Sequence, residues 1–158
     1  MPLIKNGAYV EDTFERVEGE APLPDGGDVL IDWSRLKEDA SVAGFNGRLG
    51  VVFPNTADAN ELAPYLTRLA LVTLEFPSFT DGRGFSQARI LRQQLKFKGE
   101  IRATGNPKAD QGAFLIRCGV DAFEVRGSQP LETWQRTIAS VTRVYQRTYA
   151  AGAGEVKA

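Results

Sequence analysis

The chain has 158 residues, a formal net charge of −1, 42% hydrophobic residues and 25% charged residues, which suits one globular domain with a real core. So balanced a charge gives no global field toward nucleic acid or an anionic membrane. With no histidine and a single cysteine, Cys118, the chain excludes an internal disulfide, a histidine general base and a Ser-His-Asp triad, and also zinc, haem or iron–sulfur centres held by its own conventional ligands.

The opening stretch MPLIKNGAYVEDTFERV lacks a basic-then-apolar leader pattern, and no apolar run reaches the roughly 20 residues that span a bilayer. A cytoplasmic protein is the expectation. Residues 1–20 read as a hairpin, because Asn6-Gly7 between Leu3-Ile4 and Tyr9-Val10 is the signature of a type I′ turn. Residues 21–28, APLPDGGD, read as a loop. Val29–Ile31 reads as a short strand, with Asp32 placed to cap a helix from Trp33 to about Ala40. This portion, residues 1–47, is expected to form a lid or flank on the main body.

From Arg48 strand and helix alternate four times. Strand Arg48–Pro54 precedes a helix near Ala57–Ala70, with Leu62, Tyr65, Leu66 and Leu69 at helical spacing. Strand Leu71–Phe76 leads through Pro77-Ser78-Phe79-Thr80-Asp81 to a helix near Gly84–Leu95. Strand Glu100–Thr104 precedes a helix that Asn106 would cap and Pro107 open. Strand Val120–Val125 precedes the longest helix, Leu131–Ala150, with Leu131, Trp134, Ile138, Val141 and Val144 on one face. Residues 151–158 read as a flexible tail. The fold expected is a single α/β domain over 1–150, with four consecutive βα units (48–150) in a mainly parallel sheet, half-TIM-barrel-like or open, beside the N-terminal hairpin flank.

Three strands alternate apolar and polar residues, so helices should cover one face only. The other face would carry Glu75, Arg102 and Glu124 as one charge set. That face is either solvated, a functional interior, or a contact between two chains.

In such folds ligands sit beyond the carboxyl ends of the strands. The loops there are Pro54–Asp58, Pro77–Gly84, Thr104–Lys108 and Arg126–Gln129. The richest run is FPSFTDGRGFSQARILR. Gly82 and Gly84 would take positive φ and approach a ligand, the helix start would offer N–H groups to an anion, Arg83 a bidentate grip and Ser86 a hydroxyl. Arg102 and Lys108 would complete the pocket, giving Asp81, Gly82, Arg83, Gly84, Ser86, Arg102 and Lys108 as the candidate site. The bland alternative is a glycine turn capped by Asp81. Arg89 and Arg92, three residues apart, read as surface partners for acids. Gly82-x-Gly84 matches neither the dinucleotide fingerprint nor a P-loop. Cys118 before Gly119 reads as a small buried hydrophobe, and Trp33 and Trp134 as core anchors.

Taken in order, NGAYVEDTF, LGVVF, FPSFTDGRGFSQARILR and GEIRATGNPKADQGAFLIRCGVDAFEV resemble a bacterial domain-of-unknown-function family, number 934. Its members are encoded beside sulfite reductase genes and labelled oxidoreductases of sulfite reduction. Asp110 and Gln111 keep their family places, while the arginine before them is Ala109 here. The resemblance implies an accessory protein of assimilatory sulfite or sulfate reduction that docks on sulfite reductase or another sulfate-assimilation enzyme. It equally admits a flavin- or nicotinamide-dependent oxidoreductase, or a non-catalytic adaptor and homodimer. It carries over no catalytic residue, and the missing histidines and cysteines place siroheme and iron–sulfur chemistry elsewhere.

Overall fold

The structure, a computed structural model, describes residues 2–78, 80–126 and 130–140. Eight strands form one sheet: β1 (Leu3–Lys5), β2 (Ala8–Val10), β3 (Glu15–Arg16), β4 (Asp28–Asp32), β5 (Arg48–Phe53), β6 (Leu69–Phe76), β7 (Glu100–Gly105) and β8 (Ala122–Glu124). Their spatial order is β2-β1-β8-β7-β6-β5-β4-β3. β3 through β8 pair in parallel, while β1 lies antiparallel to both β2 and β8. The sheet is therefore mixed, a correction to the mainly parallel sheet of four βα units. The physical reason is the hairpin. Asn6 and Gly7 both adopt positive φ (53° and 72°), as a type I′ turn demands, and the folded-back pair then docks on β8 instead of flanking the body.

The sheet curls into a half-barrel. Laid flat, eight strands would separate β2 from β3 by about 34 Å. Only Glu11–Phe14 joins these two edge strands, a link that reaches at most about 18 Å. Closing the edges to that distance forces the curl.

Four α-helices lie in the described residues: α1 (Trp33–Glu38), α2 (Arg83–Arg89), α3 (Gly112–Cys118) and α4 (Leu131–Ser140). Two expected helices differ. Residues Ala59–Tyr65 form a 3₁₀ turn with Pro64 inside it, because proline removes a helical N–H and crowds the preceding turn; Leu69 belongs to β6 instead. The segment after β7 starts as a 3₁₀ turn, Ala109–Gln111, before α3, and its first bonds run between Lys108 and Gln111 rather than from Asn106. Asp32 precedes α1 without a side-chain cap, its carboxylate being taken by Arg16 (3.0 Å). Residues 141–158, with Val141, Val144 and the tail, and Phe79 and Gly127–Gln129, lie outside the described residues.

One face of the sheet makes the core: Ile4, Ile31, Val51, Phe53, Leu74, Phe76, Ile101 and Phe123, all at most 2% exposed. Trp134 of α4 is fully buried against Phe123, ring centroids 4.8 Å apart, and Trp33 packs edge-on against Phe53 at 5.1 Å. Both tryptophans are the core anchors their surroundings implied.

The opposite, concave face carries Thr73, Arg102 and Glu100, as the alternation predicted. The Glu75–Arg102–Glu124 set does not form, however. Strand register places Thr73 and Ala122 beside Arg102 and Thr104 beside Glu75 in the parallel pairs, and Leu3 beside Glu124 in the antiparallel one. Arg102 pairs instead with Glu100 and Asp12.

No described helix is long and apolar enough to cross a membrane.

Candidate functional site

The carboxyl ends of β5, β6 and β7 meet around Phe76. Its ring packs edge-on against Phe85 of α2 (5.3 Å), and its carbonyl accepts the Asn106 N–H (2.8 Å). The loops after β6 and β7 are thus neighbours. α2 begins directly above, with Gly82 as its cap residue.

Asp81 organises this turn. Its Oδ1 accepts from the Arg83 backbone N–H (3.1 Å) and Nε (3.0 Å), and its Oδ2 accepts from Arg83 Nη2 (2.8 Å). Asn55, after β5, donates its Nδ2 to the same Oδ2 (2.7 Å). The hydrogen bonds from the Arg83 side chain and then its backbone, more than the guanidinium charge, hold the Asp81 carboxyl below the ordinary range, and the side-chain bonds and the Asp81 charge raise Arg83 in return. Arg83 is nonetheless exposed, with 59% of its side chain in solvent. Asp81 grips one edge and leaves Nη1 pointing away from the pair.

Neither glycine behaves as expected from an anion cradle. Gly82 has φ −86°, and Gly84 is absent from the positive-φ glycines. Gly84 answers a packing demand, since a Cβ there would lie 2.6 Å from the Phe76 ring. The glycine that needs its conformational freedom is Gly105, with φ +87° and a virtual Cβ 2.7 Å from the Phe76 carbonyl oxygen. Ser86 is exposed on α2. Lys108, half-buried, stands in the neighbouring loop, but its side chain makes no hydrogen bond or ion pair to Asp81–Ser86 among the described residues.

Arg102 does not join this group. It lies on the concave face, whereas Phe76 and α2 lie on the core face. Only 3% exposed and already paired, it has almost no surface to offer another chain.

Two residues went unread in the sequence. Asn55 is 9% exposed and supports Asp81; Gln87 is 4% exposed and donates Nε2 to the carbonyls of Pro54 and Ala57, both at 2.9 Å. Gln87 Oε1 is buried without a partner among the described residues. Only the placement of Asn55 directly after a strand-ending proline hinted at either.

Arg89 and Arg92 also part company. After α2 the helix widens into a π turn, Ile90–Gln94, marked by the Leu95 N–H bonding to the Ile90 carbonyl (2.9 Å). That extra residue per turn breaks the three-residue face relation. Arg89 stays exposed over the Phe114 ring (5.5 Å), while Arg92 turns inward, 3% exposed. There it donates to the carbonyls of Gly119 (2.9 Å) and Phe97 (2.6 Å) and pairs with Asp121. Cys118 is fully buried, and burial raises its thiol against the opposing influence of Arg89, as its position before Gly119 implied.

Two cavities, about 420 and 520 Å³, adjoin at Glu20, Arg35 and Asp39 beside α1. Neither is lined by any residue between 77 and 111.

Residues 50–154 match the family described as bacterial protein of unknown function (DUF934). The chain belongs to that family. No curated protein matches the chain.

Proposed function

We propose that the chain is an accessory protein of assimilatory sulfite or sulfate reduction that binds an oxyanion or a phosphate-bearing ligand at the turn Asp81–Ser86, without chemistry of its own. One observation carries the reading. Asp81, itself held by Asn55, fixes Arg83 at a helix start beyond a parallel strand, while 59% of the Arg83 side chain stays in solvent. A pre-oriented guanidinium loses less entropy on binding and suits the planar edge of an oxyanion. The sulfur-assimilation setting comes from the family resemblance, and docking on sulfite reductase or a second enzyme of that route would bring the electrons. Calorimetric titration with sulfite, sulfate, phosphate and nucleotides tests the site. Binding that Arg83→Ala weakens is the expected result; binding untouched by that change sinks the reading.

A second reading, a flavin- or nicotinamide-dependent oxidoreductase, has one observation in its favour. Phe114 is 42% exposed and lies 5.0 Å from Phe85, which belongs to the helix that starts at Arg83. A cofactor phosphate at Arg83 could then set a planar ring near an aromatic one. Colourless purified protein that takes up neither flavin nor nicotinamide nucleotide would count against it.

A further inference from the structure

The link Glu11–Phe14 crosses the mouth of the concave face from one sheet edge to the other. Its backbone belongs to no ladder. Among the described residues, none of the four makes a backbone–backbone hydrogen bond, and the Phe14 N–H is met by Asp12 Oδ1 (3.1 Å). Side chains hold the strap down. Thr13 Oγ1 donates to Asp28 Oδ2 (2.5 Å), and the Phe14 ring lies near the guanidinium groups of Arg48 (5.2 Å) and Arg102 (5.8 Å). Asp12 Oδ2 accepts from Arg102 Nη1 (2.9 Å).

The charges beneath explain why Asp12 is needed. Glu100 Oε1 accepts from Arg102 Nε (3.1 Å) and pairs with its Nη2 (3.1 Å), and Glu100 Oε2 accepts from Lys5 Nζ (2.8 Å). One carboxylate thus serves two cations, all three on strands. The set carries one positive charge too many, and Arg102 is 97% buried. Asp12, 35% exposed and on a strap without ladder bonds, supplies the balancing charge. Lifting the strap would leave Arg102 with Glu100 alone, and Lys5 shares that carboxylate, so an anion in the place of Asp12 favours the lifted strap.

We propose that the concave face is an anion site whose receptor is Arg102, supported by Lys5, and that Asp12 is its built-in competitor. A small oxyanion (sulfate, phosphate or a carboxylate) occupies the position of the Asp12 carboxylate and releases residues 11–14. This site lies on the other face of the sheet from Arg83 and does not depend on it.

Inorganic sulfate is the probe, with sodium chloride at equal ionic strength as the control. In the wild-type chain, sulfate should speed hydrogen exchange of the Phe14 amide, the one strap amide with a described partner, and chloride should not. Asp12→Asn should bind sulfate about tenfold or more tightly than wild type, since the internal competitor is gone. In an Arg83→Ala background, which removes the other proposed anion site, Asp12→Asn should keep that gain, and Asp12→Asn combined with Arg102→Met should lose it. If Asp12→Asn folds only in sulfate, that rescue supports the site; if sulfate fails to restore it, the site is refuted. Unchanged strap exchange in sulfate, unchanged affinity in Asp12→Asn, or binding that survives Asp12→Asn with Arg102→Met once Arg83→Ala has removed the other anion site would each overturn the proposal.

Discussion

Replacing Arg92 by methionine asks how much of this fold hangs on one buried guanidinium. The methionine stem keeps most of the side chain's volume in place, so the loss is polar rather than a cavity. Its described acceptors lose their donor: the carbonyls of Gly119 and Phe97, and Asp121. A buried carbonyl left alone costs about 1–3 kcal/mol, and breaking one side of a buried ion pair about 3–5 kcal/mol. Asp121 is partly spared, because it keeps the Ile101 N–H (2.9 Å) and because burial already pushes its carboxyl above the ordinary range against the pull of Arg92. It can therefore take up a proton. With both carbonyls at the low end of their range and the ion-pair loss offset in part at Asp121, the loss is about 4 kcal/mol, a large part of the 5–15 kcal/mol typical of a domain. Urea unfolding followed by tryptophan fluorescence reads this as a midpoint lowered by about 2 M. Arg92→Lys should fall between, since one ammonium cannot reach three acceptors arranged around a planar fork. A loss below about 1 kcal/mol, the value of an exposed pair, would refute the assignment of Arg92 as an internal tie.

Gly105→Ala should destabilise by about 3 kcal/mol, combining a left-handed backbone with contact against the Phe76 carbonyl. Gly27→Ala is its control: φ is +93° but nothing lies within 4 Å of the added methyl, so denaturant unfolding should show a loss of only about 1–2 kcal/mol. Burial works against the Glu100 carboxylate, yet the Lys5 hydrogen bond and the Arg102 and Lys5 charges overcome it and depress its pKa. A depressed carboxyl contributes stability that is present above its unfolded value and lost as pH falls through the folded one. Wild type should therefore exceed Glu100→Gln in stability at pH 7, and the gap should narrow as pH falls below the ordinary carboxylate range of about pH 4; a gap that stays constant or widens on acidification contradicts this. Cys118, buried with a raised pKa, should react with a thiol reagent at pH 8 only at the rate of unfolding, and a rate matching a free thiol would contradict its placement.

The hairpin, the strand cores and the one-sided apolar pattern were legible because each is a local rule. Asn6-Gly7 dictates a turn through two backbone angles. Alternation along β6 and β7 sorts Leu74 and Ile101 from Thr73 and Arg102 by the pleat alone. The turn at Asp81 was legible for the same reason, since its bonds to Arg83 span two residues. Helix type was less legible: Pro64 and the π turn at Ile90–Gln94 override a 3.6-residue pattern that looks continuous in sequence.

Composition and short-range chemistry by themselves determined an α/β pattern, a chain with no imidazole and one thiol, and a turn capped by Asp81 before a helix. Tertiary structure decided the rest: which arginines face inward, that the sheet curls and is mixed, and that Arg102 belongs to the concave face and not to the Asp81 turn. Arg102 meets Asp12 across 90 positions of chain and Lys5 meets Glu100 across 95. Contacts of that span depend on strand order and register, which arise only when the edges of the sheet are drawn together, and no local pattern of residues encodes them.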